Sequence, residues 1–439
     1  MIALLIDTAK LDAILDQDSL RGAMIGSAIL DSQGALIYGR NADIRMMPAS
    51  NQKVLTCAFA MGTLGPDKRL KTRFWVSQGR LIVDAEGDPL LTAHQLSDAK
   101  KKLKFTKGEV YVRQSFSPGT PPAWEWDDLT YSYAPEIRAL TVDQAQFDVY
   151  AANGRVEPVR QEFGIKIRRG RTSGGMRVSF DIKSSTVSVD GSLPGSRTKI
   201  GTFALPRPDR AAARILGGEL QQWNGAPPKS APNLTIQSKP IKELIKLCLE
   251  PSDNQIAEHL LLAAGGSSAG DAYSKAAENE AAFFEKEAGI TKDSALPRDG
   301  SGLSRQNLVT PRALSRVLRW TTQQAWAEDF RAALAAPGEG TMASRLKDRN
   351  FAGKTGTIYA VSSLSGLLFA DDPGRTMTAS LMMNHASVSG STLRGIQDRF
   401  FEALFGSGES LNGTNGEKAA LEDNHAHAHA RPFDGHWLY

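Results

Sequence analysis

Three short strings fall in a fixed order along the 439-residue chain: Ser50-Asn51-Gln52-Lys53, Ser252-Asp253-Asn254 and Lys354-Thr355-Gly356. In the first, a serine hydroxyl three positions ahead of a lysine amine supplies a nucleophile and its base. The second adds a hydroxyl that can relay a proton and an amide that can hold a carbonyl. The third adds an ammonium and a hydroxyl, a shelf for a carboxylate. Together they suit acyl transfer on a peptide that ends in a free carboxylate.

Each string has a plainer reading. Ser-x-x-Lys recurs at Ser97-Asp98-Ala99-Lys100 and Ser344-Arg345-Leu346-Lys347. Context separates the copies: the Ser97 copy runs into Lys101-Lys102-Leu103-Lys104, a polar surface. The Ser50 copy opens the apolar run Val54-Leu55-Thr56-Cys57-Ala58-Phe59-Ala60-Met61. That run is apolar nearly all round, which predicts a helix buried in the core. Residues i and i+3 share a helix face, so Lys53 can reach Ser50 Oγ. The helix N-terminus favours negative charge on that oxygen, and its N–H groups can serve an oxyanion. Lys53 must be neutral to take a proton. Lowering a lysine by roughly three pH units costs about 4 kcal/mol, which burial and a second cation can supply. Lys354 is the candidate for that cation.

Ser252 followed three residues later by Gln255 is also a capping box. On the chemical reading Ser252 passes a proton to the leaving group and Asn254 donates to a substrate carbonyl. Gly353-Lys354-Thr355 looks like the end of a phosphate loop, but Asp348 stands where that loop needs glycine. On a strand, Lys354 and Thr355 are expected to face a cleft, with Gly356 admitting a substrate backbone. Gly266-Ser267-Ser268-Ala269-Gly270 fits a nucleophile elbow, yet a helical pattern precedes it where a strand is required, so it reads as a helix C-cap. His259 and His385 read as structural. No His-Glu-x-x-His pattern occurs, so no metal and no cofactor are expected.

The elements around these strings follow from periodicity. Lys10 to Leu20 reads as an amphipathic helix. Ala23 to Leu30 and Ala35 to Tyr38 read as strands about the turn Asp31-Ser32-Gln33-Gly34. Gly62 and Gly65-Pro66 should end the Ser50 helix. From Asp67 to Pro232 short strands alternate with Gly, Ser and Pro turns: Thr72 to Val76, Arg80 to Val83, Gly108 to Val112, Phe147 to Tyr150, Arg177 to Phe180 and Thr186 to Val189. Helical patterns return at Ile241 to Leu249, Gln255 to Ala264, Tyr273 to Ala288, Pro311 to Gln323 and Trp326 to Ala335. Strands follow at Ser362 to Phe369 and Thr376 to Met383, about Asp371-Asp372-Pro373-Gly374, then a helix at Thr392 to Leu404. The expected organisation is an α+β domain from residues 1–66 and 233–405, an antiparallel sheet with helices. It carries a β-rich insertion at 67–232, with a smaller all-β unit nested near 154–203. Residues 406–439 form a low-complexity tail in which His425, His427 and His429 alternate with alanine.

Composition is that of a globular protein: 41% hydrophobic, 23% charged, net charge +4. That charge is too small to argue for nucleic acid, and no run approaches the ~20 apolar residues of a membrane span. The stub Met1-Ile2-Ala3-Leu4-Leu5-Ile6 lacks a basic flank and is too short for a secretory signal. Cys57 and Cys248 sit in apolar stretches and read as buried free thiols on neighbouring helices.

With these strings in place, the chain resembles the low-molecular-weight class C penicillin-binding proteins. These are D-alanyl-D-alanine carboxypeptidases/endopeptidases of the penicillin-binding protein 4 type, with the serine β-lactamase/D,D-peptidase-like fold. Further segments carry the resemblance: Glu86-Gly87-Asp88-Pro89-Leu90-Leu91, with Glu86 in place of a glycine; Trp124-Glu125-Trp126-Asp127-Asp128-Leu129; Tyr131-Ser132-Tyr133-Ala134-Pro135; and Asp299-Gly300-Ser301-Gly302-Leu303-Ser304-Arg305. The roughly 170-residue insertion is a further shared trait. The resemblance implies Ser50 as nucleophile and Lys53 as its base, with Ser252, Asn254 and Lys354 completing the catalytic set. Thr355, Gly356 and Thr357 would bind substrate, the N–H groups of Ser50 and Thr357 forming the oxyanion hole. Asp127 or Asp128, with Asp128 preferred, would hold the free amine of a diamino acid. The implied partners are peptidoglycan stem peptides and β-lactam antibiotics, and the implied location is the periplasm or cell envelope. A class A β-lactamase would add a Glu-x-x-Leu-Asn pattern, absent between Gln255 and Gly353. A binding module that no longer turns over is the reading of another kind.

Overall fold

Strands from the two ends of the chain pair with one another. β1 (Met24–Leu30) and β2 (Leu36–Arg40) form the expected hairpin, its turn held by Asp31 Oδ1 accepting from the N–H of Gln33 and Ala35. β3 (Phe351–Ile358), β4 (Val361–Leu368) and β5 (Met377–Asn384) come from the far end. In the computed structural model of the protein, which describes residues 6–266, 271–369 and 376–405, they make one antiparallel sheet in the order β3-β4-β5-β1-β2. Met24 lies opposite Asn384 and Leu30 opposite Thr378, which joins the two ends. Every residue of β4 and β5 is buried, so both faces of the sheet are covered.

One face packs on α1 (Thr8–Leu15) and the C-terminal helix Gly390–Leu404, through Leu11, Leu15, Phe400 and Phe401. The other face meets the helical cluster. Its centre is α2 (Gln52–Leu64), in which all ten residues from Gln52 to Met61 are buried. Around it stand α3 (Ile241–Leu249), α4 (Asn254–Gly265), α5 (Ala272–Ala288) and α6 (Pro311–Thr321). Each large apolar side chain so buried contributes about 1.5–3 kcal/mol. Cys57 on α2 and Cys248 on α3 are buried free thiols.

Several elements differ from expectation. The first helix stops at Leu15, and a separate short turn, Asp18–Leu20, follows. α2 runs through Gly62 to Leu64; a Cβ at Gly62 would lie 2.4 Å from the Phe283 ring, so packing rather than termination explains that glycine. Trp326 to Ala335 is helical only at Ala327–Arg331. Between α2 and α3 the chain builds a five-stranded sheet in which Leu234–Pro240 returns to pair with Arg69–Ser77. Two three-stranded sheets accompany it, one of them Lys166–Arg169, Thr186–Asp190 and Arg177–Asp181. This stretch is not purely β-rich, because it holds helices Ala93–Lys102 and Pro208–Leu216. Both carry sequence signals: a Thr92/Gln95 capping box in one, Pro208 in the first turn and Gly217 as the left-handed C-cap in the other. The Asp371–Gly374 turn and the tail from residue 406 lie outside the described residues. So does most of the Gly266–Gly270 string; Gly266 itself is the left-handed cap of α4, φ +68°.

His259, on α4, is fully buried, and Nδ1 bonds to Gly87 O at 2.9 Å while Nε2 has no partner among the described residues. The carbonyl fixes the Nδ1–H tautomer, and burial pushes the imidazole down to about 4. A charged ring would bury a second N–H with nothing to receive it. The depressed value therefore contributes stability that is present above pH 6.5 and lost as pH falls through 4, about 3 kcal/mol in all. Denaturant midpoints at pH 7 and pH 4 should show His259→Gln losing less stability on acidification than the parent by about that amount. Equal losses in both proteins would refute it.

Candidate active site

The nucleophile sits on a strained entry to α2. Ala49 has φ +48°, unusual for a residue with a Cβ, and Ser50 follows in the short turn Ala49–Asn51 that leads into the helix. Buried polar side chains staple this turn to the sheet. Asn384 Oδ1 accepts from Met47 N–H at 2.7 Å, and Ser363 Oγ donates to Pro48 O at 2.6 Å. Asn51 Nδ2 donates to Ser365 Oγ at 2.8 Å. Ser50 itself stays half-buried.

Lys53 is fully buried one turn on. Its Nζ donates to Ser50 Oγ at 3.1 Å, Asn254 Oδ1 at 2.7 Å and Ser301 O at 2.8 Å. The first two strings therefore meet at one ammonium. Burial depresses its pKa, against the pull of Asp299, Glu258 and Asp253.

The second string is not built as a capping box. The cap of α4 is Asp253, whose Oδ1 accepts from Ile256 N–H at 2.8 Å. Ser252 is thereby released from capping; it stands in the left-handed region at φ +69°, and among the described residues its hydroxyl makes no hydrogen bond. Asn254 also donates through Nδ2 to Tyr133 O at 2.8 Å. The Ser97 copy is spent: its Oγ donates to Ala93 O at 2.8 Å within a surface helix.

β3 is an edge strand. Gly353 exchanges both its backbone bonds with Ala335, so by alternation Thr355 and Thr357 also aim N–H and C=O along that free edge. Lys354 and Thr355 do not share a face. Lys354 is fully buried and donates to Thr355 O at 2.9 Å, whereas Thr355 is half-buried. Burial, and then the charge of Lys53, push Lys354 down to about 7. Gly356 has a different reason from the one expected. A Cβ there would lie 2.3 Å from Ser363 Oγ, 2.7 Å from Pro48 O and 3.0 Å from Ser50 N. It lets the strand approach the nucleophile's own backbone.

The aromatic-acidic segment closes the other side. Asp128 is half-buried and accepts from Tyr133 OH at 2.7 Å; Asp127 is exposed. Burial raises Asp128, while Tyr133 and Arg305 lower it. Arg305 pairs with Glu125 and donates to Tyr359 O at 3.1 Å. Trp124 Nε1 donates to Asp299 Oδ2 at 2.8 Å. Sequence reasoning gave no role to Arg305, Tyr133, Ser301 or Glu258. Arg305 was visible as the end of the Asp299 run; a backbone carbonyl such as that of Ser301 leaves no signal.

A serine and two buried lysines joined by a Ser-x-Asn turn, on an α+β frame with an antiparallel sheet, define a serine acyl-transfer enzyme. The chain belongs to the D-Ala-D-Ala carboxypeptidase 3 (S13) family, which it matches over residues 7–403. It is similar to the D-alanyl-D-alanine carboxypeptidase of Actinomadura sp. (strain R39), 27% identical over 81% of this chain and 77% of the other. The D-alanyl-D-alanine carboxypeptidase DacB of Haemophilus influenzae is 27% identical over 77% and 80%. In fold it is similar to the crystal structure of penicillin binding protein 4 from H. influenzae. There the TM-score is 0.75 at 23% identity, covering 91% of this chain and 99% of that one. Among the described residues no helix is long and apolar enough to cross a membrane, and no group of three or more His, Cys, Asp or Glu could hold a metal.

Proposed function

We propose that the protein is a serine-type D-Ala-D-Ala carboxypeptidase/endopeptidase acting on peptidoglycan stem peptides, and that Ser50 carries the acyl group. The observation that carries this reading is Lys53 Nζ, fully buried and 3.1 Å from Ser50 Oγ. Ser50 Oγ attacks the carbonyl carbon of the penultimate D-alanine and its proton passes to Lys53. The oxyanion is held by the N–H groups of Ser50 and Thr357. Ser252 relays the proton to the departing amine, the carbon–nitrogen bond breaks, and water then releases the acyl group. Lys354 and Thr355 hold the terminal carboxylate, and Asn254 holds a substrate amide. Asp128, aided by Arg305, receives the polar end of the diamino acid, with Asp127 at the rim. Residues 67–232 act as the inserted unit that brings this last site to the cleft. The place of action is the periplasm or cell envelope.

β-Lactams imitate the substrate, so the test uses one. Labelled benzylpenicillin should leave a stable adduct on the tryptic peptide containing Ser50. An adduct on any other serine overturns the assignment, and one lost within seconds indicates a β-lactamase.

A further inference from the structure

Behind Lys53 lies a group of buried acids that the reaction itself does not use. Glu258, on the second turn of α4, is fully buried and has no cationic partner within ion-pair distance among the described residues. Its two oxygens are both occupied. Oε2 accepts from Gly300 N–H at 2.9 Å and Oε1 from Ser301 N–H at 2.8 Å. The same two residues are held on their carbonyl side. Thr56 Oγ1 donates to Gly300 O at 2.9 Å, and Lys53 Nζ donates to Ser301 O at 2.8 Å. The loop has no slack elsewhere. Asp299, also fully buried, accepts from Gly302 N–H, Ser304 N–H, Asn307 Nδ2 and Trp124 Nε1.

A carboxylate sunk in the core without a cation is costly unless its acceptors are filled. Two backbone N–H groups fill them here; burial, and then the charge of Asp299, outweigh these bonds and push the carboxyl up to about 8, so it is largely protonated at neutral pH. What this device accomplishes is geometric. Peptide groups are planar, so fixing the N–H of Gly300 and of Ser301 fixes the two planes on either side of Gly300 and thereby places Ser301; Gly302 N–H, held by Asp299 Oδ1 at 2.7 Å, then sets the plane of the Ser301 carbonyl. That carbonyl is one of three acceptors around Lys53, and it holds the amine toward Ser50.

We propose that Glu258 is a positioning residue for the general base: by gripping the Gly300 and Ser301 N–H groups it places Ser301, whose carbonyl, its plane set by Asp299, then meets Lys53 and so sets the Lys53–Ser50 contact. This rests on the reading that Ser50 is the nucleophile. The titratable groups that face Lys53 besides Glu258 are Asp299 on the loop, Asp253 before α4, Cys248 on α3 and Lys354 on β3. Glu280 and Tyr273 on α5 face Glu258 from the far side, and Cys57 lies on α2 near both lysines.

Glu258→Gln separates this role from a structural one. A glutamine oxygen can accept one N–H, but its amide turns a donor on the other. The rate constant for acylation by benzylpenicillin at saturation should fall tenfold or more, with the preceding binding constant unchanged. The acid limb of that rate should stay in place, because the carboxyl that is lost is already protonated on the acid side. A variant that is merely less heat-stable, with the rate unmoved, overturns the proposal. Should Glu258→Gln fail to fold, Thr56→Val removes the hold on Gly300 O while leaving every charge in place. It should slow acylation severalfold with the limb unshifted, and an unchanged rate overturns the proposal. Absence of any Ser50 adduct in the parent protein would instead strike the reading of the nucleophile.

Discussion

Lys53→Met is expected to lower the rate of acylation by benzylpenicillin by about 10²–10⁴, the usual share of a positioned acid or base. The chain should still fold. Lys53 is fully buried in the first turn of α2, so the amine contributes nothing to solubility there. Taking an ammonium out of water is expensive, and replacement of buried charge by an apolar group of similar length is often neutral. Methionine is unbranched and fits such a channel. Against this, Asn254 Oδ1 and Ser301 O each lose a donor, at about 1–3 kcal/mol apiece. The two effects oppose, so melting should shift far less than the rate. Adduct formation followed by mass spectrometry reads the rate, and calorimetry reads the fold. A methionine variant acylating within tenfold of the parent would remove Lys53 from the role of base.

How much of this was legible in the sequence depends on which atoms carry the site. Ser50, Lys53 and Asn254 were legible because side-chain chemistry and helical spacing were enough. That residues 201 apart would converge on one amine followed from the order of strings, not from their local pattern. Ser252 was legible only as an ambiguity: a cap and a catalytic hydroxyl have the same spelling, and the fold resolves it by giving the cap to Asp253. Gly356 was assigned to substrate, since sequence does not reveal which backbone presses on a glycine; the answer is Pro48 and Ser50 of the same chain. Ser301 and Glu258 were illegible for a related reason. They act through main-chain groups, and a peptide carbonyl looks alike everywhere in a sequence. The helix Ala93–Lys102 is the opposite case, missed despite its Thr92/Gln95 box because the surrounding strands dominated the pattern.

The backbone contact between the Asp299 loop and the nucleophile turn predicts the second large effect. Gly302 has φ +83°, and a Cβ added there would stand 1.8 Å from Ala49 O and 2.5 Å from Ala49 C. Neither side can yield cheaply. Gly302 is tied by its own N–H to Asp299 Oδ1 at 2.7 Å, and the opposite turn is stapled to the sheet through Met47, Pro48 and Asn51. Ala49 is already strained, at φ +48°, and it immediately precedes Ser50. Gly302→Ala must therefore displace Ala49, carrying Ser50 away from Lys53 and from the β3 edge. Acylation by benzylpenicillin should fall at least 10²-fold, the order of loss that misplacing a reacting group by about 1 Å produces. Stability should fall by about 3 kcal/mol or more, beyond the 1–2 kcal/mol or so that a left-handed alanine costs alone. Gly289→Ala isolates that backbone term. Gly289 has φ +61° as the cap of α5, and nothing lies within 4 Å of its added Cβ. It should lose only the smaller amount of stability and acylate at the parent's rate. If the two variants acylate alike, the Gly302–Ala49 contact does not place the nucleophile, and the strain at Ala49 has to be maintained by the Asn384, Ser363 and Asn51 bonds alone.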